Sequence, residues 1–250
     1  MIDLHTHILP GLDDGASSWE DALEMAQMAV DSGVTVLAAT SHSNLPHQRE
    51  DIWVETYNRC LESLKRLLME EKIPLQLAAG MEIFASDDVV QKLKRGMLLT
   101  LNQTRYVLVE FPMDVSAFKI YQVMDRLLEG GYLPVLAHPE RYHCVQHIRA
   151  HIYEWQQMGV VIQVNKGSIL GRFGEKVRQT ADSILRHRLA AVAASDAHSP
   201  VWRTTSMDLL AGTLERKYGE SCPWLLLEEN PGRILEGRQV LWEEPIPYFK

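Results

Sequence analysis

The apolar positions of this chain fall into short unbroken runs, separated by longer stretches with helical spacing. Seven runs read as strands: the segment through Leu9, then 34–40, 75–79, 106–111, 133–138, 160–165 and 189–194. Each is nearly continuous rather than alternating, as in strands buried on both faces. Between them lie helical patterns. Ser17-Ser18 can cap the first, with Asp21 three residues after Ser18, and Leu23, Ala26 and Val30 follow at helical spacing until Gly33 stops it. Further helical patterns cover 51–71, 87–94, 116–129, 176–187, 204–218 and 224–235.

Parallel-type strands each followed by a helix predict an α/β fold, a closed or nearly closed barrel of the TIM type. No linker, low-complexity tract or charge block divides the chain, so residues 1–250 read as one domain. In such barrels the functional rim is formed by the C-terminal ends of the strands. Polar residues collect there. His5 and His7 end the first run before it bends at Pro10-Gly11, and Asp13-Asp14-Gly15 follows on a turn. His42, Glu82, Glu110, His138, Asn165, Asp196 and His198 lie at or just past the ends of the other six.

Composition narrows the chemistry. With 46% hydrophobic and 23% charged residues the chain is an ordinary globule, and its net charge of −8 argues against a nucleic-acid surface. Three scattered cysteines, Cys60, Cys144 and Cys222, suit neither a disulfide framework nor a thiolate zinc site. There is no basic-then-apolar leader, whose cleavage would in any case remove His5 and His7, and no run approaches the length of a membrane span. The expectation is a cytoplasmic protein without membrane insertion.

Residues two apart on a strand share a face, so His5 and His7 project together. Taken alone, that pair is as well explained by two surface histidines. The recurrence of imidazole and carboxylate at strand end after strand end decides otherwise. Burying so many such groups together requires compensating cations, so the sequence predicts a multinuclear metal centre with nitrogen and oxygen ligands.

The blocks Asp3-Leu4-His5-Thr6-His7-Ile8-Leu9-Pro10-Gly11-Leu12-Asp13-Asp14-Gly15, Thr40-Ser41-His42, Gly80-Met81-Glu82-Ile83, Glu110-Phe111, Ala137-His138-Pro139-Glu140-Arg141-Tyr142, Gln163-Val164-Asn165 and Ser195-Asp196-Ala197-His198 resemble the polymerase-and-histidinol-phosphatase (PHP) superfamily. More narrowly, they resemble the manganese-dependent protein tyrosine phosphatases of bacterial capsule and exopolysaccharide operons. The resemblance implies a distorted seven-stranded (β/α)7 barrel and three divalent metal ions, Mn above all, with Fe or Zn as substitutes. By position it implies that His5, His7, Glu82 and Asp196 hold one ion. Glu82 would bridge to a second, completed by Glu110 and His138, and Asp14, His42 and His198 would hold the third. It assigns Asp13 to the shape of the turn. The implied substrate is phosphotyrosine in the tail of a bacterial tyrosine autokinase; a small-molecule phosphoesterase such as histidinol phosphatase is the alternative.

An arginine suits the phosphoryl group because its fork of donors matches two oxygens. Arg141, three residues past His138, and Arg203, in the loop after His198, are the candidates, against surface salt bridges for each. Asn165 is either a substrate contact or a hydrogen-bonding wall residue. His143, His147 and His151, spaced by four, are expected along one helix face without a metal role, and His47 and His187 are expected in solvent. Trp19, Trp53 and Trp155 read as core or interface. Cys60 and Arg66 have the spacing of cysteine-dependent tyrosine phosphatases, but the residues between them form good helix rather than a glycine-rich phosphate cradle.

Overall fold

The structure is a computed structural model that describes residues 1–46, 48 and 50–248, with Glu50 and Asp51 described in their backbone only. The reading of His47 as solvated lies outside the described residues. Among the described residues nine strands form, all paired in parallel: β1 (Ile2–Thr6), β2 (Val36–Ala39), β3 (His42–Ser43), β4 (Gln76–Ala79), β5 (Glu82–Phe84), β6 (Tyr106–Glu110), β7 (Leu133–Ala137), β8 (Val161–Asn165) and β9 (Val192–Ala194). They make two sheets, β1-β2-β4 and β3-β5-β6-β7-β8-β9. The α/β class and parallel pairing follow the sequence pattern; the count of strands and the single sheet do not.

One hydroxyl accounts for the division. Tyr57 lies on helix α2 (Glu50–Glu70), fully buried, and its OH donates to Ala39 O at 2.7 Å while accepting from Gly80 N at 2.9 Å. Ala39 pairs with Ala79 at the end of β2·β4, so Gly80 N would otherwise be the natural donor to Ala39 O. The phenol is wedged into that rung. The ladder resumes in the same register, with Glu82 N shared between Thr40 O and Ser41 O and with His42 opposite Glu82.

The two sheets are also joined at their other margin. Asp196 N donates to His5 O at 2.9 Å, His7 N donates to Ala197 O at 2.8 Å, and Thr6 and Ala197 form a parallel bridge.

Strand periodicity sorts the core. Val107, Val109, Leu136, Ile162, Val164 and Ala193 pack outward against helices, including α1 (Trp19–Asp31) and α4 (Ala117–Glu129). Leu4, Ala38, Ala78, Tyr106, Leu108, Val135, Ala137, Val161 and Val192 form a second, inner cluster. Several of these inner residues are alanines, which leaves room above them. The first helix starts as its sequence predicts, Ser18 Oγ accepting from Asp21 N; the Asp21 carboxylate returns the bond one residue early, to Ser17 N. The helix expected over 204–218 begins only at Asp208, because Lys166 holds the preceding segment by its Thr204 and Ser206 carbonyls.

Candidate metal centre

The face that carries the inner cluster also carries the polar strand ends. On β6, Tyr106 and Leu108 belong to the inner cluster, and Glu110 is the next residue of that face. On β8, Val161 is followed by Gln163 and Asn165, and on β9 Val192 is followed by Ala194 and then Asp196. Glu82 occupies the inner face of β5, since Ile83 packs outward. The first strand departs from this rule: its pairing with β2 slips between Asp3 and Thr6, so Leu4 joins the inner cluster while His5 and His7 turn into the site. His138 and Asp196 leave their strands with left-handed φ of 36° and 49°. Such a backbone costs about 1–2 kcal/mol for a side chain with a Cβ, and here it aims two functional groups inward.

Nine candidates meet. His5, His7, Glu82 and Asp196 form one group, His7, Asp14, His42 and His198 a second, and His42, Glu82 and Glu110 a third, the candidate donor atoms of each group lying within 4.8 Å of one another. His138 Nε2 stands 2.8 Å from Glu82 Oε1 and 4.0 Å from Glu110 Oε2. Glu82 is thus central, belonging to two of the groups and adjoining His138. The groups overlap more than the sequence implied: His7 also approaches the Asp14 group, and His42 the Glu110 group.

These side chains fit metal ions better than they fit each other. Glu82 Oε2 is buried and makes no hydrogen bond, although His42 Nδ1, His5 Nε2 and His7 Nε2 approach it to 3.0, 3.1 and 3.2 Å. His42 Nδ1 likewise lies 2.8 Å from Glu110 Oε1 without hydrogen-bond geometry. Donors crowded together but misaligned with one another are aimed at a shared point. Charge leads to the same conclusion. Burial opposes protonation of His42, yet the Glu110 and Glu82 carboxylates outweigh it and raise its pKa to about 10. Burial is also the largest influence on His5 and His7; Glu82 with Asp196 raises the first, and Asp13, Asp196 and Glu82 raise the second. His198 goes the other way, to about 3, through burial and then the charge of His7. The carboxylates demand positive charge that divalent ions supply without protonating ligands. With only imidazole and carboxylate present, Mn, Fe and Zn are the fitting metals.

Beneath the candidate ligands lies a shell of acceptors. His7 Nδ1–H donates to Asp13 Oδ2 at 2.8 Å, His5 Nδ1–H to Gln163 Oε1 at 3.0 Å, and His198 Nδ1–H to Asp196 O at 3.1 Å. In each ring this fixes the tautomer and leaves Nε2 with a free lone pair. Asp13 therefore does more than shape a turn. It also accepts from His42 N and Gly15 N, and although burial acts against its charge, the His7 imidazole holds its pKa down to about 2. Gly15 closes the turn directly under His7, where an added Cβ would stand 2.1 Å from His7 O.

Gln163, Asp3, Glu140 and Lys166 are buried polar residues that sequence reasoning did not single out. Gln163 Nε2 donates to Asn165 Oδ1, and Asn165 Nδ2 donates to Asp196. Asn165 N donates to Glu140 Oε1, and Ser195 N to Asp3 Oδ1. The one available signal was a polar residue interrupting an apolar run, as Gln163 does in Val-Ile-Gln-Val. The Asn165 side chain is engaged by Gln163 and Asp196.

The sequence profile for capsular polysaccharide synthesis, CpsB/CapC, matches residues 1–236. The chain belongs to the CpsB/CapC family. It is 34% identical to the tyrosine-protein phosphatase YwqE of Bacillus subtilis, over 99% of this chain and 96% of that one. To the tyrosine-protein phosphatase CpsB of Streptococcus pneumoniae it is 30% identical, over 94% and 98%. A solved structure from work on those two proteins, described as unique metal-dependent tyrosine phosphatases, superposes with a TM-score of 0.93 at 32% identity, covering 100% of both chains.

In this CpsB/CapC chain both candidate arginines reach the site. Arg203 Nη2 contacts the Asp196 carboxylate and its Nε donates to Asp196 O at 3.0 Å; Arg141 Nη1 lies 3.5 Å from Asp196 Oδ2. Both guanidiniums lie over the Phe173 ring, at 4.9 Å for Arg141 and 5.7 Å for Arg203. The other expectations divide. His143 and His147 share helix α5 (His143–His147), but that helix ends there, and His151 belongs to α6 (Ala150–Gln157), stacked on Trp155. The three do not line one face. His187 is half-buried, stacked on Tyr248 and donating from Nδ1 to Ser183 O, rather than solvated. Trp155 is fully buried, and Trp19 and Trp53 pack against the core. Cys60 sits inside the long helix α2, and burial raises its thiol pKa, the opposite of a nucleophilic cysteine.

Proposed function

We propose that this chain is a metal-dependent protein tyrosine phosphatase acting on the phosphotyrosine tail of a bacterial tyrosine autokinase that governs capsule or exopolysaccharide synthesis. The observation that carries the reading is the convergence of His5, His7, His42 and Asp196 around Glu82, whose Oε2 makes no hydrogen bond, with Arg141 and Arg203 alongside. In this reading His5, His7, Glu82 and Asp196 hold one Mn ion. Glu82, Glu110 and His138 hold a second, and Asp14, His42 and His198 a third. Divalent ions so held supply Lewis acidity, lowering the pKa of water and neutralising phosphoryl charge.

The protein's own groups do the rest. Arg141 and Arg203 bind phosphoryl oxygens through the N–H donors that Asp196 leaves free, and the Phe173 ring supports both guanidiniums. Asp13, Gln163 and the Asp196 carbonyl keep three imidazoles in the tautomer that presents Nε2. A tyrosine leaving group departs as a phenoxide, with a pKa of about 10, and needs no obligatory general acid. Residues 1–250 serve as one catalytic domain in this reading. The hydrogen bonds that join the sheets at Thr40–Glu82 and at Thr6–Ala197 support a distorted seven-stranded barrel, with β2 and β3, and β4 and β5, as halves of two crooked strands.

A substrate panel tests this. With added Mn, hydrolysis should be fast on phosphotyrosine peptides and aryl phosphates and slow on phosphoserine peptides. Turnover of histidinol phosphate far above any phosphotyrosine peptide would replace the proposal with a small-molecule phosphoesterase.

A further inference from the structure

Two short loops beside the arginines expose what a folded protein ordinarily hides. Val201 is 86% and Trp202 61% exposed. Their loop is not slack. Trp202 N donates to Ser199 Oγ at 2.8 Å, Ser199 Oγ donates to Trp202 O at 2.7 Å, and His198 N donates to Arg203 O at 2.8 Å. The loop thus presents Val201 and Trp202 outward while turning Arg203 in toward Asp196. The second loop carries exposed Arg172 and half-buried Phe173 between Gly171 and Gly174, both at left-handed φ. Arg172 N donates to Gly167 O at 2.8 Å, and the Phe173 ring presses on Gly167, where an added Cβ would lie 2.6 Å from Cε2. The Arg172 guanidinium stands over the Trp202 ring at 6.0 Å.

We propose that Val201, Trp202 and Arg172 form a ledge that binds the polypeptide flanking the phosphotyrosine, taking an apolar side chain against Val201 and Trp202 and an acidic one on Arg172. The ledge rests on the phosphatase reading and specifies which protein substrates it favours. Its occupant follows from continuity and charge. Arg203 directly follows Trp202 and touches Asp196; Phe173 directly follows Arg172 and underlies Arg141 and Arg203. A chain whose phosphoryl group sits on Arg141 and Arg203 must therefore leave the site near this surface. Three guanidiniums gathered here, on a chain of net charge −8, select an anionic strand. Tryptophan and arginine are also the residue types that contribute most when a partner covers them, while an exposed apolar pair without a partner is a liability.

The test compares p-nitrophenyl phosphate with a phosphotyrosyl peptide whose neighbours are Leu and Glu, using the full chain with added Mn. In Trp202→Ala and in Arg172→Ala the ratio of peptide to aryl phosphate kcat/KM should fall about tenfold, through KM. A control peptide with Gly and Ser neighbours should show the same ratio in wild type and variants. An unchanged ratio for the Leu/Glu peptide, or an equal fall for the control peptide, overturns the ledge. If wild type hydrolyses neither substrate, the phosphatase reading fails instead. The ledge is then read by binding of a fluorescein-labelled Leu/Glu peptide carrying a non-hydrolysable phosphonate in place of phosphotyrosine. Trp202→Ala should raise its Kd about tenfold, and an equal Kd overturns the ledge.

Discussion

Asp13 and Lys166 illustrate how much of the site's chemistry rests on residues that would not touch a metal ion. Asp13 binds the His7 ring and two backbone N–H groups at once. Asp13→Asn keeps the shape but loses the charge that fixes the His7 proton, so metal affinity measured by competition with a chelator should fall about 10–100-fold. An unchanged affinity would reduce Asp13 to a turn residue. Lys166 is buried, and burial lowers its pKa from the ordinary 10.5 to about 8. Between those values the unfolded chain holds a proton that the folded chain has released. Stability therefore rises as pH climbs through that window, and below about pH 8 the cost is fully present. Denaturant unfolding at about pH 7.5, 9 and 10.5 should show wild type gaining up to about 3 kcal/mol on Lys166→Met. A difference that is flat with pH would contradict the buried-ammonium account.

At the scale of elements, the decisive feature is the phenol in the sheet. Tyr57→Phe leaves Ala39 O and Gly80 N, both buried by their surroundings, without the hydroxyl that bridges them. The expected loss is about 1–3 kcal/mol in unfolding free energy, and a neutral substitution would mean that the rung reseals on its own. The same feature shows what the sequence conceals. All seven expected runs contain a strand, because burial on both faces leaves a continuous local pattern, while the short strands His42–Ser43 and Glu82–Phe84 were not foreseen. The imidazoles and carboxylates that meet at the strand ends were legible too, as the polar residues that stop those runs. The break at 40–41 and 80–81 was not, since it depends on a tyrosine from a helix that no local pattern connects to Gly80. Gln163, Asp3, Glu140 and Lys166 stayed hidden for the same reason: their partners are distant in sequence, and an isolated polar residue in a strand does not announce which group it serves. The helical spacing of His143, His147 and His151 misled because Ile148 leaves helical geometry between them, with φ of −133° and ψ of 89°.

For the molecule as a whole, one end of the parallel sheets gathers at least three buried carboxylates and five imidazoles, flanked by two guanidiniums that lie over one ring. The fold supplies this by strand periodicity together with the register slip in β1, with alanines below making space and left-handed residues past two strand ends directing side chains inward. No described helix is long and apolar enough to cross a membrane. The thiols play no part in the proposed chemistry: Cys60, Cys144 and Cys222 all have pKa values raised by burial, that of Cys222 to about 12. Phosphate release from a phosphotyrosyl peptide, followed before chelation, after chelation and after return of Mn, tests the central claim in one series. The account predicts loss of activity on chelation, recovery with Mn, and the same course in Cys60→Ser. Activity that survives chelation, or that disappears in Cys60→Ser, would contradict it.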